Sequence, residues 1–236
     1  MARLPRIVIP NQPVHIMHRG NNHQDIFITD DDKLRVKEDI SVAIEKTGCR
    51  VHAYTIMTNH LHLLITPKSK EALSAFMQAM ANRYVRYFNQ AYNRTGSIWE
   101  GRYKSCLVDS EHYLFSLYRY IEMNPVRANM VKAVDDYEWS SYGHNGQGRQ
   151  DPLITEHALY SALGANAEER ARGYQTLFMQ GNTEHEEVAI DQATMRGEVY
   201  GSDAFHEKIS KLISLPTKRA RHGGDRKSSQ YKNQAG

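Results

Sequence analysis

The sequence predicts an α+β protein built on an antiparallel sheet, with a small helical extension behind it. Three observations carry that prediction. The run His60-Leu61-His62-Leu63-Leu64-Ile65 alternates in the way of a half-buried strand. A second apolar run over residues 50–57 precedes it, across the pair Thr58-Asn59, which is hairpin spacing and makes the histidine strand a central one. Helical periodicity then runs over residues 68–93, with Leu73, Phe76, Met77, Met80, Tyr84, Tyr87 and Phe88 three and four apart.

The other elements follow in order. Residues 1–13 are polar, hold Pro5, Pro10 and Pro13, and read as an irregular lead-in. Val14-His15-Ile16-Met17-His18-Arg19 alternates as a first strand, stopped by Gly20-Asn21-Asn22. Thr29-Asp30-Asp31-Asp32 is a helix start, with acids suited to the N-terminal dipole. Val36, Ile40, Ala43, Ile44 and Thr47 form its buried stripe, and Gly48 ends it.

Residues 93–104 are too Gly-rich and polar for a helix. They interleave Arg94, Arg102 and Lys104 with Trp99 and Tyr103. Such mixtures suit single-stranded nucleic acid, where bases stack on rings and phosphates meet cations. A surface loop anchored by Trp99 fits the same residues equally well. Residues 103–108 give a further strand, and Asp109-Ser110-Glu111 opens a helix through Leu114, Leu117, Tyr118, Tyr120 and Ile121. Met123-Asn124-Pro125 interrupts it, since proline removes a backbone donor, and residues 126–133 continue as a short helix.

Residues 147–152 are the best boundary in the chain. They divide a first domain, 1–146, from a helical extension, 152–215, with patterns near 155–163, 166–180, 185–195 and 202–214. Residues 216–236 read as a flexible basic tail. Residues 217–236 hold six Lys and Arg against Asp225, so the chain's net charge of +3 leaves the rest at −2. Any polyanion site on the body is therefore a local patch.

Composition excludes several classes. The 236 residues are 40% hydrophobic, enough to fill a core. No apolar run approaches the ~20 residues of a membrane span. Two cysteines, Cys49 and Cys106, make neither a disulfide framework nor a Cys-rich zinc site, and a cytoplasmic location is expected. No phosphate-binding glycine loop appears, so no nucleotide cofactor is expected.

The chemistry gathers at a few residues. His60 and His62 share one face of their strand, about 6 to 7 Å apart. Side chains leaning together at that spacing can hold one divalent ion, although an H-x-H in a chain with 12 histidines also describes a plain strand. Tyr120 and Asn124 are four apart, so a helix presents them on one face. Were that face to lie over the histidines, two imidazoles and an amide oxygen would hold a metal with positions left for phosphate. A tyrosine beside it could attack phosphorus once its proton, with a free pKa of roughly 10, is removed.

At this point the chain resembles a known family. Met17-His18-Arg19-Gly20-Asn21-Asn22, Asn59-His60-Leu61-His62-Leu63-Leu64, the stretch Gly96-Ser97-Ile98-Trp99-Glu100-Gly101-Arg102-Tyr103-Lys104-Ser105, and Tyr120-Ile121-Glu122-Met123-Asn124-Pro125-Val126-Arg127-Ala128 occur in this order. Together they are similar to the HUH-type single-tyrosine transposases, specifically the REP-associated tyrosine transposase group. The resemblance covers about residues 5–145. It implies a ferredoxin-like HUH endonuclease core in which His60 and His62 bind a metal, Mg²⁺ or Mn²⁺. It further implies Tyr120 as nucleophile and Asn124 as third ligand. The implied substrate is single-stranded DNA near a palindromic hairpin, cut to a 5′-phosphotyrosine and a free 3′-OH. Arg94, Arg102, Lys104 and Arg127 are DNA-contact candidates on charge and position alone. Monomer and dimer both stay open.

Two other readings compete with a metal-dependent nickase and strand-transferase. One is a nucleic-acid-binding protein descended from a transposase and catalytically silent. The other is a replication-initiator or relaxase-type nickase, which shares the His and Tyr logic. A water-using zinc hydrolase fits less well, because no Glu stands near H-x-H in sequence as a general base.

Overall fold

A computed structural model of the chain describes residues 6–214 and 216–218. Most of the predicted basic tail therefore lies outside the described residues. In chain order the elements are β1 (Val14–Arg19), α1 (Asp30–Thr47), β2 (Arg50–Ile56), β3 (His60–Thr66), α2 (Lys70–Ala91) and β4 (Lys104–Val108). They continue with α3 (Ser110–Glu122), α4 (Asn124–Arg127), α5 (Tyr142–Asn145), α6 (Ala158–Ser161), α7 (Ala167–Phe178), α8 (Glu184–Arg196), β5 (Val199–Tyr200) and α9 (Asp203–Ile213). The fold is α+β, as the sequence predicts.

The strands order as β2-β3-β1-β4-β5. The first four pair antiparallel, and β5 joins β4 in parallel. The hairpin expectation puts the histidine strand centrally. It is interior, between β2 and β1, but β1 takes the middle place. No helical pattern past residue 152 hints at β5, a strand of two residues.

Local chemistry explains the ends of the elements. Thr29 and Asp32 form a reciprocal capping box on α1, and Gly48 closes it at φ +65°, a left-handed geometry that glycine adopts without strain. The helix expected over 126–133 stops early. Asn129 turns left-handed at φ +53°, and the Met130 N–H closes on the Pro125 carbonyl at 2.9 Å.

Strand alternation then sorts the sheet into two faces. Val14, Ile16, Leu61, Leu63 and Ile65 point into a core with α1 and α2, where Phe76, Met80 and Tyr84 are fully buried. The opposite face carries His15, Met17, Arg19, His60, His62, Leu64 and Cys106, as the cross-strand register requires. Over part of it lie α3 and α8, through Leu117, Tyr118, Ile121, Ile190 and Ala193. Thr55 Oγ1 donates to the Ile121 carbonyl at 2.7 Å and ties the end of α3 to β2.

Both rims of the sheet are hydrogen-bonded. Along β2, Ile56 N–H donates to Trp139 O, Ser141 N–H to Tyr54 O and Thr155 N–H to Val51 O, all at 2.8–2.9 Å. At the other rim, on β5, Val199 N–H donates to Thr217 O at 3.1 Å. The expected boundary at 147–152 is tied to the preceding residues. Asp151 accepts from Tyr54 Oη at 2.5 Å and from Lys37 Nζ at 3.1 Å.

Glu122, the last residue of α3, is fully buried. Its carboxyl accepts from Ser141 Oγ at 2.6 Å, Asn145 Nδ2 at 2.8 Å and Tyr174 Oη at 2.6 Å, joining α3, α5 and α7. Burial still outweighs these donors and pushes the group from 4.5 up to about 7. Between those values the folded chain binds the extra proton, so this residue's contribution is present at low pH and lost as pH rises through 7. Its size is about 3 kcal/mol. Glu122→Gln keeps the acceptor for Ser141 and Asn145 and offers an N–H to Tyr174. We expect it to melt above the wild type at pH 8 and with it at pH 4. Parallel thermal scans at the two pH values check this, and equal melting at pH 8 would contradict it.

Candidate active site

The β3 alternation brings His60 and His62 together, with ring centroids 5.0 Å apart and planes at 79°. His60 Nδ1–H donates to Asn59 Oδ1 at 2.6 Å, and the Asn59 amide nitrogen is itself held by the His23 carbonyl at 3.2 Å. That leaves His60 Nε2 as the nitrogen with a lone pair. His62 Nδ1 lies 2.9 Å from His15 Nε2. Burial, then the charge of Arg19, lowers His60 to about 4. Burial, then the neighbouring His60 and His15, holds His62 well below its usual value. Both imidazoles are neutral at pH 7, the form that ligates metals.

Tyr120 comes down from α3 with its ring edge-on to His62, at 5.8 Å and 84°. Its hydroxyl donates to Asp191 Oδ1 on α8 at 2.6 Å. Burial first, then that carboxylate, holds the phenol well above its usual range, while Arg127 pulls the other way. The Arg127 guanidinium sits over the Tyr120 ring at 4.2 Å, bonds the Tyr120 carbonyl at 2.8 Å, and pairs with Glu187 at 2.7 Å. Asn124 Nδ2 donates to the Tyr120 carbonyl at 2.8 Å, so the amide's free end is Oδ1.

His60, His62, Tyr120, Asn124 and Arg127 line one cleft of about 700 Å³, together with Arg19, Asn59, Glu187 and Asp191. Arg102 and Lys104 line a second, of about 350 Å³, with Arg6 and Arg196; Arg196 borders both. Arg94 lines neither and reaches Gln24 Oε1 at 3.1 Å. Arg127, a DNA-contact candidate on charge, is already engaged by Glu187.

Sequence reasoning missed several groups here. His15 had a signal, because it shares the parity of Met17 and Arg19 on the first strand. Asp191 and Glu187 had none, since both lie beyond the expected boundary. They put carboxylates in the cleft where the sequence showed no acid near H-x-H.

Two imidazole Nε2 atoms and one amide oxygen are a donor set that fits a divalent ion of hard to borderline character. Among the described residues, no group of three His, Cys, Asp or Glu is placed to hold a metal. No helix among those residues is long and apolar enough to cross a membrane.

One solved structure, a REP-associated tyrosine transposase bound to a REP hairpin, superposes with a TM-score of 0.54 at 18% identity, covering 67% of this chain and 96% of that one. At that identity the likeness is one of fold. A putative transposase from Deinococcus radiodurans, also 18% identical, covers 51% of this chain and 96% of its own but reaches a TM-score of only 0.36. No curated protein matches the chain. Residues 9–124, just under half of the chain, carry the histidine strand, end at Asn124 and match the family model described as "Transposase IS200 like".

Proposed function

We propose that this protein is a metal-dependent single-stranded DNA endonuclease and strand-transferase of the REP-associated tyrosine type, acting at palindromic hairpins. The observation that carries the reading is the meeting of His60, His62, Tyr120 and Asn124 in one cleft. His60 and His62 through Nε2, and Asn124 through Oδ1, would hold Mg²⁺ or Mn²⁺, which when bound polarises the scissile phosphate and stabilises charge there. Tyr120 Oη attacks phosphorus and the P–O3′ bond breaks. Asp191, already hydrogen-bonded to the phenol, takes its proton, and the departing 3′-oxygen is protonated from water. The product is a 5′-phosphotyrosine, which keeps the bond energy for rejoining. The chemistry is assigned to residues 1–146, with 152–215 as the extension that lends Asp191.

The test is a denaturing-gel assay for covalent adduct, with single-stranded DNA carrying the palindromic repeats that flank the gene, in Mn²⁺ or EDTA. We expect a Mn²⁺-dependent adduct whose modified peptide contains Tyr120 by mass spectrometry. The alternative is a catalytically silent nucleic-acid-binding protein derived from a transposase, in which burial and the Asp191 carboxylate keep the phenol protonated. Binding without adduct on every flanking sequence would select that alternative.

The solved relative's REP hairpin supports a hairpin substrate, and the second cleft suits its backbone. Arg102→Ala with Lys104→Ala is expected to flatten the plot of log affinity against log salt by about 1.8, from two hairpin-stem phosphate contacts at ~0.9 each. Fluorescence anisotropy over a salt series reads this, and an unchanged slope would remove both residues from the interface.

A further inference from the structure

His15 is fully buried on β1 and the chemistry above makes no use of it. We propose that His15 and Thr194 form a one-way hydrogen-bond relay that fixes the tautomer of His62, making His15 the positioning residue for that ligand. The functional consequence rests on the metal reading given above, whereas the relay itself does not.

Its direction follows from one end. Thr194 Oγ1 lies 2.8 Å from the Ile190 carbonyl, one turn back in α8. A carbonyl only accepts, so the hydroxyl proton is used there. Toward His15 Nδ1, at 2.9 Å, Thr194 Oγ1 therefore acts as acceptor, and Nδ1 carries the hydrogen. Cys106 Sγ, 3.4 Å from the same oxygen, can add a weak S–H donor, consistent with that role. A neutral imidazole has one N–H, so His15 Nε2 is an acceptor. His62 Nδ1, 2.9 Å away, must donate to it. The lone pair of His62 then sits on Nε2.

The two rings lie only 6° from parallel, so the bond also sets the orientation of the His62 ring. Asn59 does the same for His60 from the turn before β3. The difference is burial. His62 is almost fully covered, and water does not replace a lost partner there at no cost. Thr194 belongs to α8, so the segment beyond residue 152 reaches the proposed ligand through this relay.

The experiment has two readouts. Nitrogen-15 NMR of the wild-type imidazoles, without metal, should show His62 as the Nδ1–H tautomer; the opposite tautomer would overturn the relay. Mn²⁺ binding, read by electron paramagnetic resonance, should weaken about 10- to 100-fold in His15→Phe, the usual effect of losing such a partner. His15→Gln places an amide oxygen where Nε2 stands and should recover most of the loss. A role in packing alone would not predict that recovery. A folded His15→Phe with wild-type affinity would overturn the proposal. Should His15→Phe fail to fold, Thr194→Val carries the test. It removes the relay's acceptor, and should give mixed His62 tautomers and weaker Mn²⁺ binding; an unchanged tautomer there counts as refutation. A wild type that binds no Mn²⁺, with His62 in the expected tautomer, would instead sink the metal reading and the positioning role with it.

Discussion

Tyr120→Phe is expected to bind single-stranded hairpin DNA as the wild type does and to form no covalent adduct. The substitution removes one oxygen. The ring keeps its edge-on contacts with His15 and His62 and its place under the Arg127 guanidinium. The bond to Asp191 is lost, but Asp191 is exposed and water replaces the partner. The stability cost is therefore about 1 kcal/mol or less. The nucleophile goes entirely, so the expected change is from a visible adduct to none. Anisotropy for binding and a denaturing gel for adduct separate the two effects. Adduct formation at the wild-type rate would remove Tyr120 from its role and leave the family match untouched.

Asp191→Asn is expected to slow adduct formation by about 10²- to 10⁴-fold, the range for loss of a positioned general base. Two effects compete. The carboxylate holds the phenol pKa up, so losing it eases ionisation. It is also the group 2.6 Å from the phenol oxygen whose proton must leave. Removal of that proton is required in every turnover, and we expect the second effect to win. The residual rate in the variant should climb with pH as hydroxide takes over. The sign decides: single-turnover rates faster than wild type would mean that Asp191 restrains the tyrosine. DNA binding should be retained, since the change removes a negative charge from the cleft.

Much of the site was legible because its spacing is local. H-x-H on an alternating strand shares one face whatever the fold, and a tyrosine four residues before an asparagine shares one side of a helix. The structure needed only to lay the second over the first, which Thr55 does by tying the end of α3 to β2. Partners distant in sequence were not legible. Asp191 lies 71 residues from Tyr120 and Thr194 lies 179 from His15. Nothing in α8 as a sequence says that it packs on β4. The middle place of β1 was also hidden, because a hairpin joins β2 to β3 without saying which strand comes next. Arg127 shows the limit of reading charge alone: its neighbour Glu187 lies 60 positions on, and the two are paired.

The hydrogen-bonded rims of the sheet bear on how copies of this chain behave when crowded. An outer strand with bare backbone groups is a template for another chain's strand, the first step in many swaps and aggregates. Here residues 139–141 and 154–155 occupy that position along β2. On the other side the cover is thin, two residues of β5. Peeling β5 from β4 would release the Asp109 amide and the Leu107 amide, which is bonded to Glu198 O at 3.2 Å. The vulnerability to self-association is thus concentrated at one end of one strand, next to the helix that carries Asp191 and Thr194.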